Sequence, residues 1–152
     1  KEFAWTREFL EDYRNKIIGV DHPEEVYQFN LANLYFYERK FDLALDTLGL
    51  KYHDLYYQMA ARRLEIKILY ETDSPILDSK MEAFKIYIFR LSQKRLPEVQ
   101  SLGNNHFIDL LRRIVNPATL GNESRIKALR SQFAAVKILA ERNWLSEKLQ
   151  EL

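Results

Sequence analysis

The sequence predicts an all-α protein in which antiparallel helix pairs stack as a short right-handed superhelix. Three observations carry that expectation. Apolar residues recur at helical spacing almost throughout, as in Leu77, Met81, Phe84, Ile88 and Leu91, and strand-like alternation is missing. Only 4 Gly and 4 Pro occur in 152 residues, too few for the many tight turns of a β sandwich or barrel. The apolar segments are joined by short turns, which suits antiparallel helical neighbours.

Seven or eight helices follow in order, over 3–18, 23–38, 41–49, 53–71, 75–93, 97–115 and 123–141, with a short tail over 143–151 as the eighth. Asp21-His22-Pro23-Glu24-Glu25 is a start signal with an acidic first turn. The segment it opens is apolar nearly all round. Tyr27, Leu31, Leu34 and Tyr35 lie on one side, and Val26, Phe29 and Phe36 on another. A helix of that kind is packed on both sides, as the inner helix of stacked pairs must be. Phe41, Ala44, Leu45 and Leu48 form a shorter stripe that Gly49 closes in a left-handed conformation. Ser74-Pro75 reads as an N-cap with proline at the first helical position, and Asp78 follows in the first turn. Gly103-Asn104 inside the sixth segment predicts a kink or break. Asn122-Glu123-Ser124 matches a glycosylation sequon but reads as a helix cap before Ile126, Leu129, Phe133, Val136 and Ala140.

Composition excludes several classes of function. An apolar share of 47% against 30% charged residues is that of a folded domain, not a disordered chain. The length suits one domain over 1–152. With no Cys, disulfides, thiolate zinc sites, iron–sulfur clusters and cysteine nucleophiles are out. No run approaches the ~20 apolar residues of a membrane span. The first residue is not Met, so the chain reads as a fragment or processed form of a longer protein, and the cytoplasm is its expected compartment. HExxH, GxGxxG and the P-loop pattern are all missing. His22, His53 and His106 are far apart in sequence; His22 reads as part of a helix N-terminus and His53 as a turn or cap residue. No metal, no cofactor and no catalytic residue is therefore expected.

Charge is uneven although the net value is +1. Residues 1–50 sum to −4 and residues 51–152 to +5, with basic side chains gathered between Lys80 and Lys137. These read as solvated outer faces of helices; a nucleic-acid surface would need them on one face with aromatic or amide readers among them.

Asn30-Leu31-Ala32-Asn33-Leu34-Tyr35, followed by Phe41, Ala44 and Leu48, resembles one tetratricopeptide repeat. Leu31-Ala32 fills the large-then-small pair, Tyr35 the aromatic one turn on, and Ala44 the small residue of the second helix. Arg39 stands where the family usually has Gly. About 34 residues on, Ile66, Leu69 and the turn at Asp73 echo the unit, with Glu65 and Ile66 departing from the pair and Leu77, Met81 and Phe84 as the partner helix. Phe84 to Arg95 and Ala140 to Leu149 resemble the C-terminal end of uncharacterised bacterial tetratricopeptide-like proteins.

The resemblance implies a non-enzymatic module that holds a protein or peptide in a concave groove lined by the first helix of each pair. Phe29, Asn33, Phe36 and Tyr37 would face inward from the first repeat, and Arg63, Lys67 and Tyr70 from the next. Arg63 and Lys67, one turn apart, would make a positive spot. Asn33 matches the asparagine with which some members hold a ligand backbone. Phe29 stands where carboxylate-clamping members have Lys, which argues against recognition of a free C-terminus. The alternatives are a nucleic-acid-associated domain using the basic C-terminal half, or the capping end of a longer solenoid. No membrane partner is expected.

Overall fold

Helices form where periodicity and caps ask for them, and among the described residues there is no strand. The structure is a computed structural model that describes residues 3–49 and 51–152; Lys1, Glu2 and Leu50 lie outside the described residues. The fold groups into two compact units, Lys1–Leu77 and Asp78–Leu152.

The first unit begins with α1 (Phe3–Tyr13), which tightens into a 3-10 turn at Arg14–Lys16 instead of running on to 18. Ile17 is already extended, with φ −71° and ψ 107°, so the helix cannot propagate past it. Trp5, Phe9 and Tyr13, one turn apart, stack at 5.4 and 4.5 Å on an exposed face of α1. Arg7 ties α1 to α2 (Pro23–Tyr37): its guanidinium donates to Glu38 at 2.8 Å and lies 5.3 Å over the Tyr35 ring. α2 is flanked by α1, α3 (Phe41–Leu48) and α4 (Leu55–Glu71). Three neighbours explain its all-round apolar character. Ala32, Leu34 and Phe36 are buried and Val26, Tyr27, Phe29, Leu31 and Tyr35 half-buried.

α3 runs back along α2. Phe36 meets Phe41 at the turn, while the Gln28 side chain near the start of α2 donates to the Thr47 carbonyl at 2.7 Å. Ala44 and Leu48 bury the shared face. Gly49 closes α3 at φ 53°, and a Cβ there would stand 2.8 Å from Gln28 Nε2. α4 starts two residues later than the pattern suggests because Asp54 is its cap, accepting from the Tyr56 and Tyr57 N–H groups at 2.7 and 3.4 Å.

In the second unit, α5 (Leu77–Ser92) buries Met81, Phe84 and Ile88 as the stripe requires. It begins after Pro75, not at it, since the Leu77 N–H makes a short-range bond to Ser74 O at 3.2 Å. α6 (Glu98–Ile114) is antiparallel to α5, as Lys85–Asp109 at 2.9 Å and Glu82–Arg112 both show. α7 (Glu123–Ala135) opens on Asn122, whose side chain accepts from the Arg125 N–H at 3.0 Å; the sequon residue is a cap.

Two expectations fail in this unit. α6 is continuous through Gly103-Asn104. The segment after α7 crosses the helix at this point, with the Ala140 N–H donating to Gly103 O at 3.1 Å. α7 also ends at Ala135 rather than 141. Val136 is extended, and the carbonyls beyond it are taken up elsewhere: Val136 by Arg142, and Ile138 by His106 Nδ1 at 2.8 Å. α8 (Arg142–Gln150) then packs Trp144 against Phe107 of α6, ring centroids 6.2 Å apart.

A Cβ added at Gly103 would meet its nearest neighbours at 3.5 Å, an ordinary contact. Gly103→Ala is therefore expected to stabilise the protein by about 0.5–1 kcal/mol, the usual penalty of glycine within a helix. Urea unfolding measures it; a loss of stability would show that the Ala140 crossing cannot accept a methyl group.

Candidate functional site

The helix starts and stops of the first unit set α2 and α4 side by side and parallel. His22 and His53 stack at one end, with ring centroids 3.9 Å apart. Phe29 meets Tyr57 edge-on at 5.4 Å in the middle. At the far end the Lys67 ammonium lies 4.9 Å over the Phe36 ring, and Arg39 approaches Glu71 at 3.9 Å. α3 lies between them in sequence and runs antiparallel to α2.

The seven residues expected to face a groove have unequal surroundings. Phe29 is half-buried between Tyr52 and Tyr57. Asn33 donates its amide N–H to the Phe29 carbonyl at 3.2 Å, one turn back on its own helix. Tyr37 is exposed at the end of α2, edge-on to Phe36. Arg63 and Tyr70 are half-buried. Lys67 is only 3% exposed, with its ammonium over the Phe36 ring, so it does not form an open positive spot beside Arg63. Phe36 itself is buried.

At the other end, His22, Glu25 and His53 form a cluster that the sequence pattern does not disclose. Gly19 at φ 79° turns the chain so that His22 precedes Pro23 at the start of α2, with Glu25 in the first helical turn. His53 stands just before the Asp54 cap of α4. The Glu25 carboxylate accepts from the His53 backbone N–H at 2.9 Å and faces His53 Nδ1 at 2.5 Å. Burial pushes the Glu25 carboxyl up, but the hydrogen bonds from His53 and the charge at His53 and His22 outweigh it, and the group sits below its ordinary value. One ligating atom from each of the three residues falls within 4.8 Å of the others. The cluster lines an open cleft of about 390 Å³ together with Asp21 and Asp54. Under it, Tyr52 is buried and donates to the Leu48 carbonyl; burial, aided by the Glu25 charge, lifts its hydroxyl to about 12.

Reading His22 and His53 as helix-start residues is correct, and that is also why they meet. His22 stands at the N-cap of α2 and His53 directly precedes the Asp54 cap of α4, and the two parallel helices begin side by side.

The basic residues of the second unit are partly engaged. Lys85 pairs with Asp109, Arg112 with Glu82, Arg113 with the Gln132 side chain at 2.6 Å, and Arg130 with the Leu149 carbonyl at 3.3 Å. Among the described residues no helix is long and apolar enough to cross a membrane. Compared with family models, with curated proteins and with solved structures, the chain shows no match.

Proposed function

We propose that this chain is a protein- or peptide-binding module of tetratricopeptide-like helix pairs, in which the α2 and α4 side receives the ligand. One observation carries the reading: the same helix stop occurs twice, 34 residues apart. At the end of α2, Glu38, Arg39 and Lys40 donate to Leu34, Phe36 and Tyr35. At the end of α4, Thr72, Asp73 and Ser74 donate to Ile68, Tyr70 and Leu69. Arg39 and Asp73 hold the same left-handed conformation, with φ 60° and 49°. Every donor and every acceptor recurs at the family's repeat length. A helix pair that repeats buries its face only against its neighbours and presents a row of first helices on one side. The binding role is an argument from that architecture.

In this reading Tyr37, Arg63 and Tyr70 supply ligand contacts, and Asn33 offers its amide oxygen to a backbone N–H. Phe29 and Lys67 hold α2 and α4 in register. Selection from a random peptide display library tests it. We expect enriched peptides whose capture is lost in Asn33→Ala combined with Arg63→Ala, with the melting midpoint nearly unchanged. Lack of enrichment, or capture indifferent to both substitutions, counts against the module. In parallel, labelled single-stranded RNA should show no appreciable binding at physiological salt. Micromolar binding with a steep salt slope, abolished by Arg112→Glu with Arg113→Glu, would favour the nucleic-acid reading instead.

A further inference from the structure

We propose that His22, Glu25 and His53 form a binding site for one divalent transition-metal ion of the zinc type. Two imidazole nitrogens and one carboxylate oxygen suit zinc, cobalt, nickel or copper, whereas magnesium and calcium take oxygen ligands almost alone. The donor atoms lie within 4.8 Å of one another. Around a tetrahedral ion with bonds of about 2.0–2.2 Å, ligand atoms stand roughly 3.4 Å apart, so the adjustment needed is about an ångström. His22 and His53 are both exposed, and rotation of their side chains supplies that adjustment without moving the backbone.

The carboxylate is already set in place. Glu25 is gripped by the His53 backbone N–H at 2.9 Å, and the His53 ring nitrogen faces it at 2.5 Å. Asp21 and Asp54 line the same cleft, adding negative charge. Two helix N-termini point the positive ends of their dipoles here and oppose a cation. Asp54, capping α4, and Glu24 with Glu25, in the first turn of α2, offset them. The open side of the cleft leaves room for water as a fourth ligand.

Such an ion would join the chain at positions 22, 25 and 53, fastening the start of α2 to the start of α4. Because the unfolded chain does not hold these groups together, binding would add to the stability of the fold. This inference does not depend on the peptide-binding reading, which concerns other residues of α2 and α4.

The test is titration of untagged, chelator-treated protein with Zn²⁺ by calorimetry, alongside thermal melting and visible absorption with Co²⁺. We expect one ion per chain, a higher melting midpoint with Zn²⁺, and a cobalt ligand-field band. His22→Gln and His53→Gln should each weaken affinity roughly tenfold or more, while His106→Gln, whose ring nitrogen meets the Ile138 carbonyl instead, leaves it unchanged. Circular dichroism of the metal-free variants checks that each still folds. Should either substitution unfold the chain, Glu25→Gln replaces it in the same titration. Absence of saturable one-to-one uptake, or uptake undiminished in the cluster variants, overturns the site.

Discussion

Phe107→Ala is expected to destabilise the second unit by about 3–5 kcal/mol, the range for deleting a fully buried aromatic ring. Phe107 has no exposed surface; it stands on α6 beside Ile108, Leu110 and Leu111 and against Trp144 of α8. Removing the ring leaves a cavity where two elements meet, and α6 cannot shift to fill it while Ala140 is bonded to Gly103 on the same side. The chain has two tryptophans, Trp5 and Trp144, one in each unit. Urea unfolding followed by fluorescence in a Trp5→Phe background thus reports the second unit alone. A loss below about 1 kcal/mol would mean that the α6–α8 junction relaxes around the gap.

Ala44→Leu is the second large effect, a loss of about 1–3 kcal/mol from overpacking. Ala44 is fully buried on the side of α3 that faces α2, where Ala32 is also without exposed surface. Two small residues there let the helices come close, and a leucine would force them apart or into poor rotamers. Leu45, next in sequence but more than a third exposed, provides the comparison: Leu45→Ala should cost well under half as much. An unchanged melting midpoint in Ala44→Leu would show that the α2–α3 pair does not need a small residue at this place.

The same residues show what a sequence can and cannot disclose. Ala44, Leu48 and the Met81, Phe84, Ile88 stripe were legible because helical burial has a period, and a period survives in the order of residues. The starts of α2 and α7 were legible because Pro23 and Asn122 act on their own neighbours. The end of α7 was not. Val136 leaves the helix because its carbonyl is taken by Arg142 and the following segment crosses Gly103, and both are contacts between distant positions. Gly103 misled for the same reason. The helix runs on through it, and what meets it there is another segment, bonded from the Ala140 N–H to its carbonyl. Lys67 looked like a surface charge because lysine is seldom buried; the Phe36 ring that accommodates it belongs to a different helix. The His22, Glu25 and His53 cluster needed the relation between two helix starts, which no local pattern carries.

Arg39 stands where a glycine would be at ease, and a backbone at φ 60° costs an L residue on the order of 1 kcal/mol. In exchange, its guanidinium lies 5.3 Å over Phe41 and reaches Glu71 at 3.9 Å, so the turn of one hairpin is fastened to the end of the next helix. A glycine would relax the turn and remove the fastening. The instruction to stop thus resides in three main-chain hydrogen bonds, not in the identity of a residue. Alphabetic comparison looks for letters, and at positions 39 and 73 it meets an arginine and an aspartate with nothing in common. A ruler laid along the hydrogen bonds finds the same sentence written twice.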